Sequence, residues 1–209
     1  MLQLERIDAI IFDLGGVIID LDFQRTFDQF AVLSGKSAAE IKSGLLESDL
    51  LLKYEKGEFT DFQFLNAIQE KFNTRASHEE MEEAFIALLL HIPIERVHLL
   101  RQLSKQYRLF LLSNTSAMHY KEVNNILHRN TGCEDLTHLF ETVFLSFEMG
   151  LLKPGIEIYE TVLQQAQLNP ATTLFLDDNA SNLKGASSVG IQTALVTPEQ
   201  SILSLFNYE

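Results

Sequence analysis

Four short apolar runs, each closed by polar or turn residues, set the frame for this chain. They are AIIFD at 9–13, RLFLLSN at 108–114, TVFLSF at 142–147 and TLFLDD at 173–178. Dense runs of this length, without alternation of polar and apolar residues, suit strands buried on both faces, as in a parallel sheet. IQTALV at 191–196 is a fifth, more alternating candidate. Helical patterns fill the later intervals, at 118–127, 156–166 and 182–188. This β-α alternation predicts an α/β fold built on a doubly wound, Rossmann-like parallel sheet.

The interval between the first two runs is different. From 22 to about 106 the sequence shows helical repeats at 23–33, 38–46, 62–72, 79–90 and 94–103, and no convincing strand. Breakers fall at 34–37, at 56–61 and at Pro93. Thr60 and Ser77 read as helix N-caps, and Ser77-His78-Glu79-Glu80 fits a capping box. The expected organisation is therefore a core of residues 1–20 and 101–209, carrying an inserted α-helical cap at 21–100.

At 209 residues, 46% apolar and 22% charged, the chain has the composition of one sizeable globular domain or a domain with an insertion. A net charge of -13 argues against general nucleic-acid binding and against attraction to an anionic membrane surface. It leaves phosphate binding open, because a few converging cations and backbone N–H groups suffice locally. Cys133 is the only cysteine, so there is no intrachain disulfide and no companion for a zinc site. No apolar run approaches the ~20 residues of a membrane span, and MLQLERIDAI does not read as a signal peptide. The expected setting is cytoplasmic, as a monomer or weak homodimer with no nucleic-acid or membrane partner.

In doubly wound sheets ligands bind beyond the carboxyl ends of the strands. Those ends carry Asp13, Ser113-Asn114, Ser146 and Asp177-Asp178. Asp13 reads either as a polar residue closing a strand before a Gly-Gly turn or as a nucleophile or metal ligand. Ser113-Asn114-Thr115-Ser116 reads as ordinary helix capping or as hydroxyl and N–H groups for phosphate oxygens. Lys153, before Pro154, is either a solvated loop residue or a cation that neutralises a phosphate and keeps a nearby carboxylate ionised. Asp177 and Asp178 are adjacent carboxylates at the end of a buried run, which is costly without a cation. Their hard oxygen donors point to Mg²⁺.

The order Asp, Ser, Lys, Asp-Asp, with steps of 100, 40 and 24 residues and a helical insertion after the first, resembles the haloacid dehalogenase superfamily of hydrolases. The resemblance covers nearly the whole chain. Within that superfamily, FDLGGVIIDLDF, YEKGEFTD, LSNTS, GLLKPGIEIY and FLDDNASNLKGASSVGI are most similar to bacterial sugar phosphatases of the α-D-glucose-1-phosphate phosphatase type. A two-component receiver domain uses similar ingredients in a different order, with its acidic pair first and no large cap.

The resemblance implies a Mg²⁺-dependent phosphatase acting on a small phosphorylated metabolite, with a sugar phosphate as the expected substrate. Asp13 would be the nucleophile that becomes an aspartyl phosphate. Asp13, the Gly15 carbonyl and Asp178 would hold the metal, and Asp177 would orient a metal-bound water. Ser113 and the Asn114 backbone would grip the phosphate, Lys153 would offset its charge, and Asn182 would brace the acidic loop. Two other readings implied by the fold are a metal-independent 2-haloacid dehalogenase and a non-catalytic phosphometabolite-binding protein.

One position departs from the pattern. Phosphatases of this superfamily usually carry a second aspartate two residues after the nucleophile, as general acid and base, and here that residue is Gly15. The reaction must then rely on the leaving group's own stability, on water, or on a carboxylate from elsewhere, such as Glu55 in the cap. Arg25, Glu55 and Lys56 lie near expected turns or hinges of the cap, where each either stays solvated or reaches the crevice.

Overall fold

Successive residues of a strand point to opposite faces, so a strand apolar at every position needs cover on both sides. In the computed structural model, which describes residues 4–208, this is how β1 (Ala9–Phe12) is used. Ile10 and Phe12 join one apolar cluster and Ala9 and Ile11 the other. The chain then runs through α1 (Phe23–Ser34), α2 (Ala38–Leu46), α3 (Leu50–Glu55), α4 (Asp61–Phe72), α5 (His78–Ile86) and α6 (Ile94–Leu103). It returns to the sheet as β2 (Arg108–Ser113), where Leu109 and Leu111 face one cluster and Phe110 and Leu112 the other. There follow α7 (Ala117–Thr131), β3 (Thr142–Leu145), α8 (Ser146–Met149), α9 (Ile156–Gln165), β4 (Thr173–Asp177), α10 (Ala180–Ser188), β5 (Gln192–Leu195) and α11 (Ile202–Leu205).

The five strands are parallel and ordered β3-β2-β1-β4-β5. From β1 the chain proceeds towards β2, and from β4 it proceeds towards β5, in opposite directions across the sheet. The topological switch point, where ligands bind in such sheets, is therefore between the carboxyl ends of β1 and β4.

Helices α1 to α5 bury their own cluster, built from Phe27, Phe30, Tyr54, Phe64, Phe72 and Phe85 among others. Ser37, Thr60 and Ser77 each close a capping box, with Glu40, Gln63 and Glu80 respectively. Helix α6 behaves differently from its neighbours: Val97, Leu99, Leu100 and Leu103 pack into the cluster on the sheet. A sequence division at residue 100 thus cuts a helix whose apolar face belongs to the sheet side. The two segments that join this helical unit to the core pair with each other, through Leu90 N–H to Asp20 O at 3.0 Å and Asp22 N–H to Leu88 O at 2.8 Å. Arg96 clamps the first of them, donating to Ile18 O at 3.0 Å and pairing with Asp20 at 2.7 Å. Cys133 is buried within the sheet-side cluster. No helix among the described residues is long and apolar enough to cross a membrane.

Candidate active site

Asp13 follows the last residue of β1, and its N–H donates to Leu176 O of β4 at 2.8 Å. That bond ties the end of one strand to the other and sets Asp13 beside Asp177. The space between them is occupied by the Lys153 ammonium, which reaches in from the turn before α9. Its Nζ donates to Asp13 Oδ1 at 2.7 Å, Asp177 Oδ2 at 2.8 Å and Leu112 O at 3.0 Å. An ammonium has three N–H donors, and all three are used here. The Lys153 side chain is 1% exposed and that of Asp177 0%, so this is a buried ion network, not a surface pair.

The electrostatics follow from that burial. Desolvation pushes the Asp13 carboxyl up to about 6, against the pull of Lys153. Burial opposes the charge of Lys153, and the two carboxylates outweigh it, holding the ammonium above the usual lysine value. Asp178 is raised by partial burial and then by its neighbour Asp177.

Each remaining predicted residue has a definite place. Asn114 holds the Lys153 turn by its side chain, accepting from Lys153 N–H at 2.9 Å and donating to Lys153 O at 2.9 Å. Asn182 Nδ2 donates to both oxygens of Asp177, at 3.1 and 3.0 Å, and Asn179 N–H adds a third bond at 2.7 Å. Ser116, not Ser113, caps α7, with its hydroxyl accepting from His119 N–H. Ser113, which is buried, and Asn114 line a cavity of about 100 Å³ together with Gly15 and Glu55. Ser146 does not face the crevice. It begins α8, and its fully buried hydroxyl ties Thr115 by accepting from the amide at 2.9 Å and donating to the carbonyl at 3.1 Å.

Asp13, Asp177 and Asp178 each present an oxygen within 4.8 Å of the others. Gly16 answers why glycine follows so soon after Asp13. Its φ is +72°, and a Cβ there would lie 2.4 Å from Asp178 Oδ2. A side chain at this position would displace the carboxylate and strain the backbone.

Of the three cap residues considered from the sequence, Glu55 reaches the site. Burial pushes its carboxyl up to about 7, with Lys153 lowering it and Asp13 raising it, so both charges act on it. Lys56 instead pairs with Glu58 at 3.6 Å, and Arg25 is exposed. Sequence reasoning missed the carbonyl brace on Asn182, to which the Tyr159 hydroxyl donates at 2.8 Å. It also missed the contact between His119 and Phe85, whose rings stack with centroids 4.1 Å apart.

Residues 7–190 match the model of the haloacid dehalogenase-like hydrolases. The chain is 25% identical over 187 residues to D-ribitol-5-phosphate phosphatase of Bacteroides thetaiotaomicron, covering 90% of each protein. It is 28% identical to a phosphorylated carbohydrates phosphatase of Thermotoga maritima, over 88% of this chain and 82% of that one. A HAD family enzyme from Bacteroides thetaiotaomicron, solved in complex with magnesium and inorganic phosphate, superposes with a TM-score of 0.87 and 31% identity over 96% of this chain and 99% of that chain. With its motifs at the strand ends and the family model spanning most of its length, the chain belongs to the haloacid dehalogenase-like hydrolases.

Proposed function

We propose that this protein is a magnesium-dependent phosphatase that hydrolyses a small phosphorylated metabolite, a sugar or sugar-alcohol phosphate, through an aspartyl phosphate on Asp13. The observation that carries this reading is the buried Asp13–Lys153–Asp177 network at the switch point, with Asp178 beside it. A dehalogenase that attacks carbon without metal does not need the acidic pair Asp177-Asp178. The substrate class is supported by the relatives named for ribitol phosphate and phosphorylated carbohydrates.

The donor set fits a hard divalent cation: three carboxylates within reach of one another, beside a glycine without a Cβ to block them. Asp13, Asp178 and the Gly15 carbonyl would hold magnesium, which would neutralise charge on the phosphoryl oxygens. Asp13 supplies the attacking oxygen. Lys153 keeps Asp13 ionised and in place, since nucleophilicity resides in the carboxylate. For a Lys153 N–H to reach the phosphate, one of its three present bonds must be exchanged. The Ser113 hydroxyl and the Asn114 backbone N–H would be the donors to the phosphate, since the Asn114 side chain is engaged with the Lys153 turn. Asn182 and Asn179 hold Asp177 so that Lys153 keeps its register. Residues 21–93 form the cap over this site, with α6 counted in the core.

The test is phosphate release from para-nitrophenyl phosphate and a panel of sugar phosphates. Activity is expected to vanish with chelator, to return with Mg²⁺, and to be abolished in Asp13→Asn with the fold intact. Chloride release from 2-chloropropionate in the presence of chelator would instead establish a dehalogenase, and phosphate-ester binding without turnover would establish a binding protein.

A further inference from the structure

The reading above leaves one chemical gap. As the phosphorus–oxygen bond breaks, an alkoxide leaving group needs a proton, and assistance of this kind is worth roughly 10²–10⁴-fold. Position 15 cannot supply it, because glycine has no side chain.

Glu55 is the last residue of α3, and the cap holds that helix end against the core on both sides of it. One residue earlier, the Tyr54 ring stacks on Phe64 with centroids 4.2 Å apart, and its hydroxyl donates to Asp61 at 2.6 Å and accepts from Met118 N–H of α7 at 3.4 Å. Two residues later, Gly57 lies so close to α8 that a Cβ would sit 2.1 Å from the Phe147 carbonyl oxygen. Glu55 thus has its backbone held between two docked neighbours. It lines the same small cavity as Gly15, Ser113 and Asn114, and among the described residues lining that cavity it is the only carboxyl group. His119, the other titratable residue there, has Nε2 engaged with Phe85 O at 3.1 Å. Leu21, Phe23, Leu88 and Leu89 make the rest of the wall largely apolar.

The geometry points to Glu55 as the catalytic acid and base, supplied by the cap in place of the side chain that position 15 lacks. This assignment rests on the phosphatase reading. In the first step Asp13 Oδ bonds to phosphorus, the bond from phosphorus to the ester oxygen breaks, and that oxygen takes the proton from Glu55. In the second step the Glu55 carboxylate takes a proton from water as the water oxygen bonds to phosphorus. The Asp13–phosphorus bond then breaks, releasing inorganic phosphate. One water is consumed, and Glu55 ends as the acid it began as. Because the group sits on α3, proton transfer is available only while the cap is seated on the core.

The experiment compares wild type with Glu55→Gln, in Mg²⁺, on phosphate monoesters whose alcohols range from nitrophenols to primary alcohols. Phosphorylated enzyme is measured by acid quench with radiolabelled substrate. For Glu55→Gln, kcat/KM on glycerol phosphate is expected to fall by about 10²–10³-fold, while that on para-nitrophenyl phosphate falls less than about tenfold. With the nitrophenyl ester, phosphorylated Asp13 is expected to accumulate, since the base for its hydrolysis is gone. Glu55→Asp, which keeps an acid on a shorter arm, should recover part of the glycerol phosphate rate. An equal loss across the series, or no loss, overturns the assignment to Glu55 alone. Absence of ester hydrolysis by the wild type overturns the phosphatase reading and this assignment with it.

Discussion

Lys153 and Asp178 both lie at the proposed site, and their surroundings differ. Lys153 is enclosed between two buried carboxylates, and Asp178 stands exposed at the edge of the oxygen cluster. Removing one partner of a buried ion network typically costs about 3–5 kcal/mol, because the remaining charges are left uncompensated. Lys153→Ala is therefore expected to lower the urea midpoint strongly in metal-free buffer, and to cost phosphate affinity and turnover with little loss of Mg²⁺ affinity. Asp178→Ala should do the reverse, leaving stability nearly unchanged and weakening Mg²⁺ binding most. Calorimetric titration of Mg²⁺ into both variants checks this, and equal losses would mean the two residues do not divide the work. The same reasoning explains how Asp13→Asn can keep its fold: Lys153 still has Asp177 and the Leu112 carbonyl.

At the scale of elements, the docking of α3 on α8 can be tested with two glycines of similar backbone. Gly57 and Gly35 have φ of +72° and +69°, so alanine pays a similar conformational cost at each. A Cβ at Gly35 meets open space, whereas one at Gly57 collides with the Phe147 carbonyl. Gly57→Ala should therefore lose clearly more stability than Gly35→Ala, by upwards of about 1 kcal/mol, read as the difference in denaturation midpoints. Equal losses would mean that the turn does not rest on α8. The strands were legible from sequence because a run apolar at every position needs cover on both faces. They end one or more residues early because Asp13 keeps only its N–H bond to β4, Asn114 and Asp178 lie past the last paired residues, and Ser146 turns into α8. Helix α3 escaped notice because LLLKYE is six residues long with three leucines in a row, too short to show a period. The period of α6 marks a helix without marking its partner, since periodicity shows that a face is buried and not what buries it. That Asp13 and Asp177 stand at strand ends was legible; Asn114 clasping the Lys153 turn was not, because asparagine at a strand end reads as a turn residue whatever it holds.

Across the whole molecule, cap and core meet where α7 begins. Met118 is buried in the cap's own cluster, and the next residue, His119, stacks on Phe85 and bonds its carbonyl. Burial depresses the His119 imidazole from 6.5 to about 4, with the bond to Phe85 O opposing the shift. A histidine held neutral in the fold binds its proton more readily in the unfolded chain. Its contribution to stability is thus complete above the unfolded value near 6.5, shrinks as pH falls towards about 4, and changes no further below that. At about 1.36 kcal/mol per pH unit, the full loss is roughly 3 kcal/mol. Asp13 and Glu55, raised to about 6 and about 7, act in the opposite sense. The folded state takes up their protons first, so these groups favour folding as pH falls through the same window. The total pH slope of the wild type therefore cannot be assigned to one group, and the difference between two proteins can. His119→Gln keeps a side chain able to donate to the Phe85 carbonyl and has no charge to acquire. Urea denaturation of both proteins from pH 7 to 4 should show the wild type losing stability relative to the variant as pH falls. Parallel curves would show that His119 carries its proton as easily in the fold as outside it, and that the cap–core contact at α7 does not depend on pH.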